Sequence, residues 1–277
     1  MSENLLKNIK VGFKGNKIAV IGATAIIILT LASIFAFLYP IAPNAISVTD
    51  RLTAPSFRHP FGTDDMGRDY FTRCLYGGRA SLLVGFMSMI LSTLIGVVIG
   101  SISGFIGGKI DALLMRLVDA LMSLPTFLIM VVMNAYFDPG IKNVVLIIGF
   151  LTWMNIARIV RGETISLKER EYVIYSMASG QRKTQIILQH IIPNIMPTII
   201  VSATINIANS ILMESALSFF GLGIVPPTAS WGSMLSKAQG YIATAPHLAF
   251  FPGLLILITV ISFNYLGEVA RKIFQPK

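Results

Sequence analysis

The sequence predicts an all-α integral membrane protein with about six transmembrane helices, and three observations lead to this fold class. Hydrophobic residues fill 54% of the 277 positions. Only 13% of the residues are charged, well below the roughly 25% that is usual in soluble globular domains. Six separate apolar runs approach or exceed the roughly 20 residues that a helix needs to cross a bilayer. A second sizeable soluble domain does not fit into this length.

The six apolar runs give the order of the predicted spans. The first run is longer than the roughly 7–15 residues of a signal-peptide core and has no clear cleavage site, so we expect an uncleaved anchor. Pro125 lies inside the third run and predicts a kink, because proline lacks a backbone N–H. The fourth run is short and must extend to about Val160. The approximate bounds are 18–39, 80–105, 113–137, 144–157, 191–213 and 248–266.

The lysines and arginines predict the orientation of these spans. If the N-terminus is cytoplasmic, 15 of the 22 Lys and Arg residues fall on the cytoplasmic side and 7 on the outer side. Positive residues concentrate in cytoplasmic loops, so we expect both termini there. The net charge of +9 then requires no nucleic acid as a partner. The expected division is a cytoplasmic N-terminal segment at 1–17, a first transmembrane anchor at 18–39, an extracytoplasmic segment at 40–79, a transmembrane domain at 80–267 with a cytoplasmic loop at 161–190 and an outer loop at 214–247, and a cytoplasmic tail at 268–277.

The sequence offers no candidate catalytic residue and no metal site. Its three histidines, His59, His190 and His247, lie in separate segments without metal-ligand spacing. The phosphate-cradling pattern GxxxxGK[ST] does not occur in the sequence. We therefore expect a chain that is not an enzyme and binds no nucleotide or other cofactor itself. Cys74 is the single cysteine, which excludes an intrachain disulfide.

A polar helical stretch, residues 169–194, lies between the fourth and fifth spans. From Val173 to Ala178 its apolar residues follow helical spacing and form one stripe. Gly180 is expected to end that helix in the left-handed conformation, and Pro193 suits the first turn of the next span. The pattern predicts helix, glycine turn, helix. It leaves three explanations open: a helix in the lipid headgroups, a solvated connector, or a docking element for a soluble partner.

Polar residues inside the spans are candidates for a translocation path. Asn206 and Asn209 lie three apart in the fifth span, with Glu214 beyond them. Because unpaired amides facing lipid are costly, these residues should face another helix or a water-filled cavity. Packing and path lining are both compatible with the pattern. In the third span Arg116 and Asp119 are three apart, which predicts an ion pair on one helix face.

Three motifs resemble one transporter family. HPFGTDDMGRDYFTRCLYGGRASLLVG, residues 59–85, is similar to a segment of the second permease subunit of dipeptide and oligopeptide ATP-binding cassette importers. LSFFGLGIVPPTASWGSML, residues 217–235, resembles a second motif of that group, with Ala229 replacing a usual proline. The loop at 169–194 resembles the cytoplasmic EAA loop of such permeases, with Gly180 and Pro193 at the matching separation. Ile174, Tyr175 and Ser176 replace the Glu-Ala-Ala triplet, and His190 and Ile192 replace an Ile and a Leu.

The resemblance implies a permease subunit of an ATP-driven importer in a bacterial or archaeal cell membrane. Such a subunit pairs with a homologous second permease and two cytoplasmic ATPase subunits that bind ATP and Mg²⁺. An extracytoplasmic binding protein delivers the substrate, here expected to be di- or oligopeptides. The alternatives are nickel or another small polar solute, or a self-contained secondary transporter. The implied coupling residues of the loop are Glu171, Tyr172, Val173, Ala178, Gly180, Gln181 and Pro193.

Two outer segments are expected to lie outside the bilayer. Asp65, Asp69 and Arg73 are spaced four apart, which predicts a short helix with an Asp69–Arg73 pair. The loop with Pro226, Pro227 and Trp231 is expected to be rigid. Both segments fit either a cap that closes the ends of the spans or a contact surface for the binding protein.

Overall fold

The protein is described by a computed structural model that covers residues 16–274. Helices dominate this part of the chain, where the β pairing is a single bridge between Thr63 and Asp69. The all-α fold class is therefore confirmed. Most of the predicted N-terminal segment, with Lys7, Lys10 and Lys14, lies outside the described residues, as does the end of the predicted tail from Gln275 to Lys277.

Nine helical segments account for most of the described chain. The α1 segment continues as a 3₁₀ helix, Phe35–Leu38, and the α7 segment contains one π turn, Ile187–Ile191. The bounds are Lys17–Ile34 for α1, Tyr70–Ile106 for α2, Gly108–Met122 for α3, Thr126–Tyr136 for α4, Ile141–Lys168 for α5, Glu171–Ala178 for α6, Lys183–Phe219 for α7, Trp231–Ala238 for α8 and His247–Phe274 for α9.

Five of the described helices are long and apolar enough to cross a membrane: α1, α2, α5, α7 and α9. The bent pair α3–α4 raises the number to six if it counts as one span. The predicted single helix at 113–137 is wrong, because α3 and α4 meet at an angle of 81°. Pro125 directly precedes α4 in an extended conformation. A proline disfavours helical backbone in the residue before it, so the chain breaks there instead of kinking.

The spans extend beyond the apolar runs from which they were predicted. Helix α2 begins at Tyr70, ten residues before the predicted start at 80, and α5 continues to Lys168. The Asp69 side chain caps α2, since its Oδ1 accepts a hydrogen bond of 2.8 Å from the backbone N–H of Thr72. Hydropathy marks only the apolar part of each helix, whereas the polar ends belong to the same helices.

Helices α2 and α5 pack together through a row of glycines on α2. Gly96, Gly100 and Gly104 recur every four residues and face α5. A Cβ added at Gly100 would lie 2.5 Å from the carbonyl oxygen of Ala157, and one at Gly104 would lie 2.8 Å from that of Arg161. Such contacts are too short for real side chains, so the two backbones can approach this closely only because the residues are glycine.

The two ends of the helix bundle differ in character. We call them the α6 end and the Trp231 end, after the elements that lie there. Helices α2 and α5 both run between the two ends, because α2 starts beside Trp231 and α5 leads into α6 through only Glu169 and Arg170. At the α6 end, a buried cluster that includes Phe105, Val160 and Val173 joins α2, α5 and α6. Helix α6 is therefore attached to α2 and α5, which pack closely together along their length.

Buried hydrogen bonds close the Trp231 end. Trp231 is buried, and its indole N–H donates a hydrogen bond of 2.9 Å to the carbonyl of Cys74 in α2. Tyr70 donates a hydrogen bond of 2.7 Å to the carbonyl of Leu248 in α9. These bonds fix the start of α8 and the start of α9 to the start of α2, which fits a cap, one of the two expectations for these segments.

The charged residues before α2 pair differently from the expectation. The predicted Asp69–Arg73 pair is wrong, because Asp69 Oδ2 lies 2.8 Å from His59 Nδ1 while Asp69 Oδ1 caps α2. Arg73 instead lies 3.5 Å from Asp64, which also holds Arg68 at 2.6 Å. Helix α2 begins only after Asp69, so the spacing of four on which the predicted pair depended starts outside the helix.

The glycine row predicts a large difference between two glycine-to-alanine variants. Gly100→Ala should lower the free energy of unfolding by about 1–3 kcal/mol, because the new methyl group overlaps the α5 backbone. Gly162→Ala in α5 is the matched control, since a Cβ there meets nothing within 4 Å. The control should be unchanged or more stable by about 0.5–1 kcal/mol. Melting temperatures of the two purified variants in detergent test this, and equal values would contradict the close packing.

Candidate translocation cleft and docking helix

A cleft of about 460 Å³ lies between α4, α5, α7 and α9. Hydroxyl and amide side chains from the first three of these helices alternate in its wall with aliphatic ones. A lipid-facing groove would not carry this many polar groups. The polar residues of the wall are Thr126, Thr152, Asn155, Ser202, Asn206, Asn209 and, at one edge, Arg271.

Asn206 and Asn209 both line the cleft but have different surroundings. Asn206 is buried, and its Nδ2 donates a hydrogen bond of 2.5 Å to Ser92 Oγ in α2. Asn209 is exposed on the cleft wall. Packing and path lining were both compatible with the sequence, and the structure gives Asn206 a part in packing while leaving the Asn209 amide open to the cleft.

Glu214 lies apart from this wall. It is fully buried, and its carboxylate accepts hydrogen bonds of 2.9 Å from Ser81 in α2 and 2.7 Å from Ser218 in α7. The same two hydroxyls accept backbone N–H bonds from residues beyond α7, Ser81 from Trp231 at 3.2 Å and Ser218 from Ile224 at 3.0 Å. Glu214 therefore joins α2, α7 and the segment between α7 and α8 at one point.

One face of α6 packs against the neighbouring helices, and the opposite face is exposed. Val173 is fully buried in the cluster with Phe105 and Val160, and Met177 packs against the same cluster. Ile174 is exposed, and Tyr175 is 75% exposed. The predicted apolar stripe is thus divided: Val173 and Met177 face inward, whereas Ile174 and Ala178 face outward.

The exposed face of α6 also carries two of the other predicted coupling residues. Tyr172 is exposed beside Ile174, and Glu171 is exposed in the first turn. Together the exposed residues present two aromatic rings, an aliphatic group and an acid. A surface helix of eight residues with this exposed composition and a firmly anchored opposite face can bind a groove on another protein.

Gly180 takes the left-handed conformation that the sequence predicts. Its φ is +77°, and the backbone N–H of Gln181 donates a hydrogen bond of 3.2 Å to the carbonyl of Ser176. This is the hydrogen bond that closes a helix through a left-handed residue. The Gln181 side chain donates a further bond of 2.8 Å to Gln189 Oε1 in α7, which ties the turn to the next helix.

Pro193 lies in the first turn of Ile192–Phe219, the regular α-helical part of α7, as the sequence predicts. The helical segment α7 starts at Lys183, and the π turn Ile187–Ile191 comes immediately before the proline. Proline cannot donate to the carbonyl four residues earlier and its ring crowds that carbonyl. A wider turn at this point relieves the conflict, which is a common setting for a π turn within a helix.

Two ion pairs that sequence reasoning missed connect α3 to α5. Both Asp111 carboxylate oxygens lie 2.6 Å from the Arg161 guanidinium, one from Nε and one from Nη2. Asp119 pairs with Arg158, so the predicted partner Arg116 is wrong. The expectation considered neighbours on one helix only, whereas α3 lies along α5 and finds its partners there. The sequence signal that could have indicated these pairs is the presence of opposite charges at the ends of two consecutive apolar runs.

Comparison with known proteins identifies the class. Residues 96–277 match the family described as "Binding-protein-dependent transport system inner membrane component". Residues 6–55 match the "N-terminal TM domain of oligopeptide transport permease C". A multi-pass helical membrane protein with an anchored surface helix at one end and a polar cleft between its spans fits the first description.

Curated relatives extend the match over almost the whole chain. The chain is 38% identical to the "Oligopeptide transport system permease protein OppC" of Bacillus subtilis, with 100% of this chain and 91% of the relative covered. It is 38% identical to the "Dipeptide transport system permease protein DppC" of Alkalihalophilus pseudofirmus, with 95% and 87% covered. It is 39% identical to the "Glutathione transport system permease protein GsiD" of Shigella flexneri, with 96% and 88% covered.

These findings give the chain its class and its family. It is an integral, multi-pass membrane component of a transport system. It belongs to the family of binding-protein-dependent transport system inner membrane components.

The contacts of Glu214 predict that its removal weakens the Trp231 end. Glu214→Ala leaves the buried Ser81 and Ser218 hydroxyls without their acceptor, which should cost about 1–3 kcal/mol of unfolding free energy. Glu268→Ala is the control, because Glu268 forms a half-exposed pair with Lys272 and should cost at most about 1 kcal/mol. Melting temperature and the rate of proteolysis in the outer loop measure the effect. Equal losses in both variants would contradict the role of Glu214.

Proposed function

We propose that this chain is the permease subunit of an ATP-driven importer that translocates di- or oligopeptides delivered by an extracytoplasmic binding protein. The observation that carries the proposal is the combination of an anchored helix, α6, whose outer face is bare, with a polar cleft between the spans of the same chain. The relatives named above are oligopeptide, dipeptide and glutathione permeases. All three named substrates contain peptide bonds, which favours peptides over metal ions.

The energy source in this proposal lies in other chains. Two cytoplasmic ATPase subunits bind ATP and Mg²⁺, and a homologous second permease completes the membrane part. The sequence has no phosphate-cradling pattern, so this subunit contributes motion and a path and no hydrolytic chemistry. The α6 end is cytoplasmic and the Trp231 end faces outward, as the distribution of lysines and arginines predicts.

In the proposed complex α6 is the coupling helix. Its exposed residues Glu171, Tyr172 and Tyr175 bind a groove on one ATPase, while buried Val173 anchors the helix to α5 and α7. Gly180, Gln181 and Pro193 set the geometry of the return into α7. Because both ends of α6 lead almost directly into spans, closure of the ATPase pair moves those spans.

The cleft is one wall of the proposed translocation path. The second permease would supply the facing wall. Its amide and hydroxyl groups are neutral donors and acceptors, which suit the peptide bonds common to all peptides without selecting particular side chains. Besides Asn206, the cleft wall contains the amides of Asn155 and Asn209. Selection among peptides would then fall to the binding protein.

Valine at Gly180 should separate the permease from its ATPase. Gly180→Val places a β-branched residue at φ +77°, where even an unbranched residue costs about 1–2 kcal/mol, so the turn that positions α6 is distorted. We expect the variant to insert into the membrane and to lose co-purification of the ATPase.

A second left-handed glycine provides the matched control for that variant. Gly221 has φ +78° and, like Gly180, has nothing within 4 Å of an added Cβ, but it lies beyond the other end of α7. Gly221→Val should suffer the same backbone strain and retain the ATPase. Pull-down from mild detergent measures both variants. Equal retention by Gly180→Val and Gly221→Val would contradict the coupling role of the loop.

The two asparagines of the cleft should respond differently to substitution. Asn209→Leu should keep the melting temperature and reduce peptide uptake, because it removes a polar group from the path. Asn206→Leu should lower the melting temperature, because it removes the bond to Ser92 and leaves a buried hydroxyl without it. Uptake of labelled peptide by proteoliposomes with the complete transporter is compared with thermal unfolding. Normal uptake by Asn209→Leu would remove this residue from the path.

A further inference from the structure

Helix α3 is attached to α5 along one side. Val118 is fully buried against Trp153, Met154 and Ala157 of α5, which gives the two helices an apolar seam. An ion pair to α5 lies toward each end of α3. Through this seam and these two ion pairs, α3 is held to α5 at both of its ends and in its middle.

The two ion pairs differ in strength and position. The Asp111–Arg161 pair has two parallel hydrogen bonds, and its side chains are 16% and 34% exposed. Ser103 of α2 also donates a hydrogen bond to Asp111, so this pair joins three helices. The Asp119–Arg158 side chains are 61% and 45% exposed. Bidentate, partly buried pairs hold their geometry better than solvent-exposed ones.

The stronger pair lies close to the helix that would bind the ATPase. Arg161 is on the last two turns of α5, which is separated from α6 by Glu169 and Arg170. A cavity of about 410 Å³, lined by Gly107, Asp111, Lys168 and Ile174 among others, lies between the start of α3 and α6. A displacement of α6 can therefore be transmitted to α3 through α5 and the Asp111–Arg161 pair. Directly between α6 and the start of α3 lies the cavity, so the movement is not transmitted there by packed side chains.

The other end of α3 leads to the cleft. After Met122 the chain bends by 81° into α4, and Thr126, the first residue of α4, is part of the cleft wall. A movement of α3 relative to α7 must therefore change the position of this wall.

We propose that the Asp111–Arg161 pair makes the bent α3–α4 element follow α5, so that ATPase-driven displacement of α6 changes the width of the cleft. Asp111 and Arg161 are then positioning residues for transport, acting through helix α3 on the cleft wall. The inference rests on the proposed function, because it requires an ATPase bound to α6.

A spin-label distance across the cleft tests the inference without knowledge of the substrate. Cysteines at Thr126 in α4 and Ser202 in α7 face the cleft from opposite elements, and the natural Cys74 is buried. The label-to-label distance is measured by pulsed electron paramagnetic resonance in the assembled transporter, with and without ATP, Mg²⁺ and vanadate. With the native pair, ATP should shift the distance.

Three variants distinguish an ion pair that transmits the movement of α5 to α3 from one that only stabilises the fold. Asp111→Asn should retain the ATPase and lose most of the ATP-dependent shift, because the ionic bidentate bond is gone. Asp119→Asn is the matched control on the same two helices and should keep the full shift. The double variant Asp111→Arg with Arg161→Asp restores an ion pair with the charges exchanged. It should recover part of the ATP-dependent shift in distance, which would not happen if the loss in Asp111→Asn came from misfolding.

Three results would overturn the inference, and they are distinguishable. A full ATP-dependent shift in Asp111→Asn removes the pair from the coupling route and leaves the proposed function intact. An equal loss of the ATP-dependent shift in Asp111→Asn and Asp119→Asn also removes the specific role of the Asp111–Arg161 pair and leaves the proposed function intact. It would show that either substitution loosens α3 in general. If the native-pair protein binds the ATPase and shows no shift with ATP, the proposed function fails, and this inference fails with it.

Discussion

The close contact between α2 and α5 is the constraint on which the remaining structure depends. In a bilayer, apolar surfaces gain little by leaving lipid for one another, so association relies on close packing and hydrogen bonds. Gly96, Gly100 and Gly104 bring the two backbones together over two helical turns. The result is a stiff pair that extends from the Trp231 end to α6. Every functional element described above is attached to this pair or to α7 beside it.

The polar groups within the spans follow the same physical rule. Buried Glu214 has serine hydroxyls as partners, and partly buried Asp111 has a guanidinium and a hydroxyl. Asn206 has Ser92. Asn209, in contrast, faces the cleft. An amide left open to a cleft inside a membrane protein implies water or a polar solute beside it. The difference between Asn206 and Asn209 depends on tertiary contacts.

Much of the fold could be predicted from the sequence because its signals are local. Hydropathy identifies the spans. Gly180 by itself predicts the turn after α6, because few other residues accept φ +77°. Non-local features could not be found in this way. Arg161 is fifty residues from Asp111, and the serines around Glu214 come from separate helices. The local rule of spacing by three or four therefore chose the wrong partners for Asp69 and Asp119. The glycine row was visible as small residues every four positions, but the helix that it faces was not.

The central claim is that the exposed face of α6 binds an ATPase. Its most direct test is site-specific photo-cross-linking from Tyr175, the most exposed ring of that face, with Tyr136 near the other end of the bundle as the reference position. A photoreactive residue is placed at each position in membranes that contain the whole transporter. The account predicts a cross-linked product with an ATP-hydrolysing subunit from position 175 and none from position 136. Cross-links to lipid alone from position 175, in a transporter that hydrolyses ATP, would contradict it.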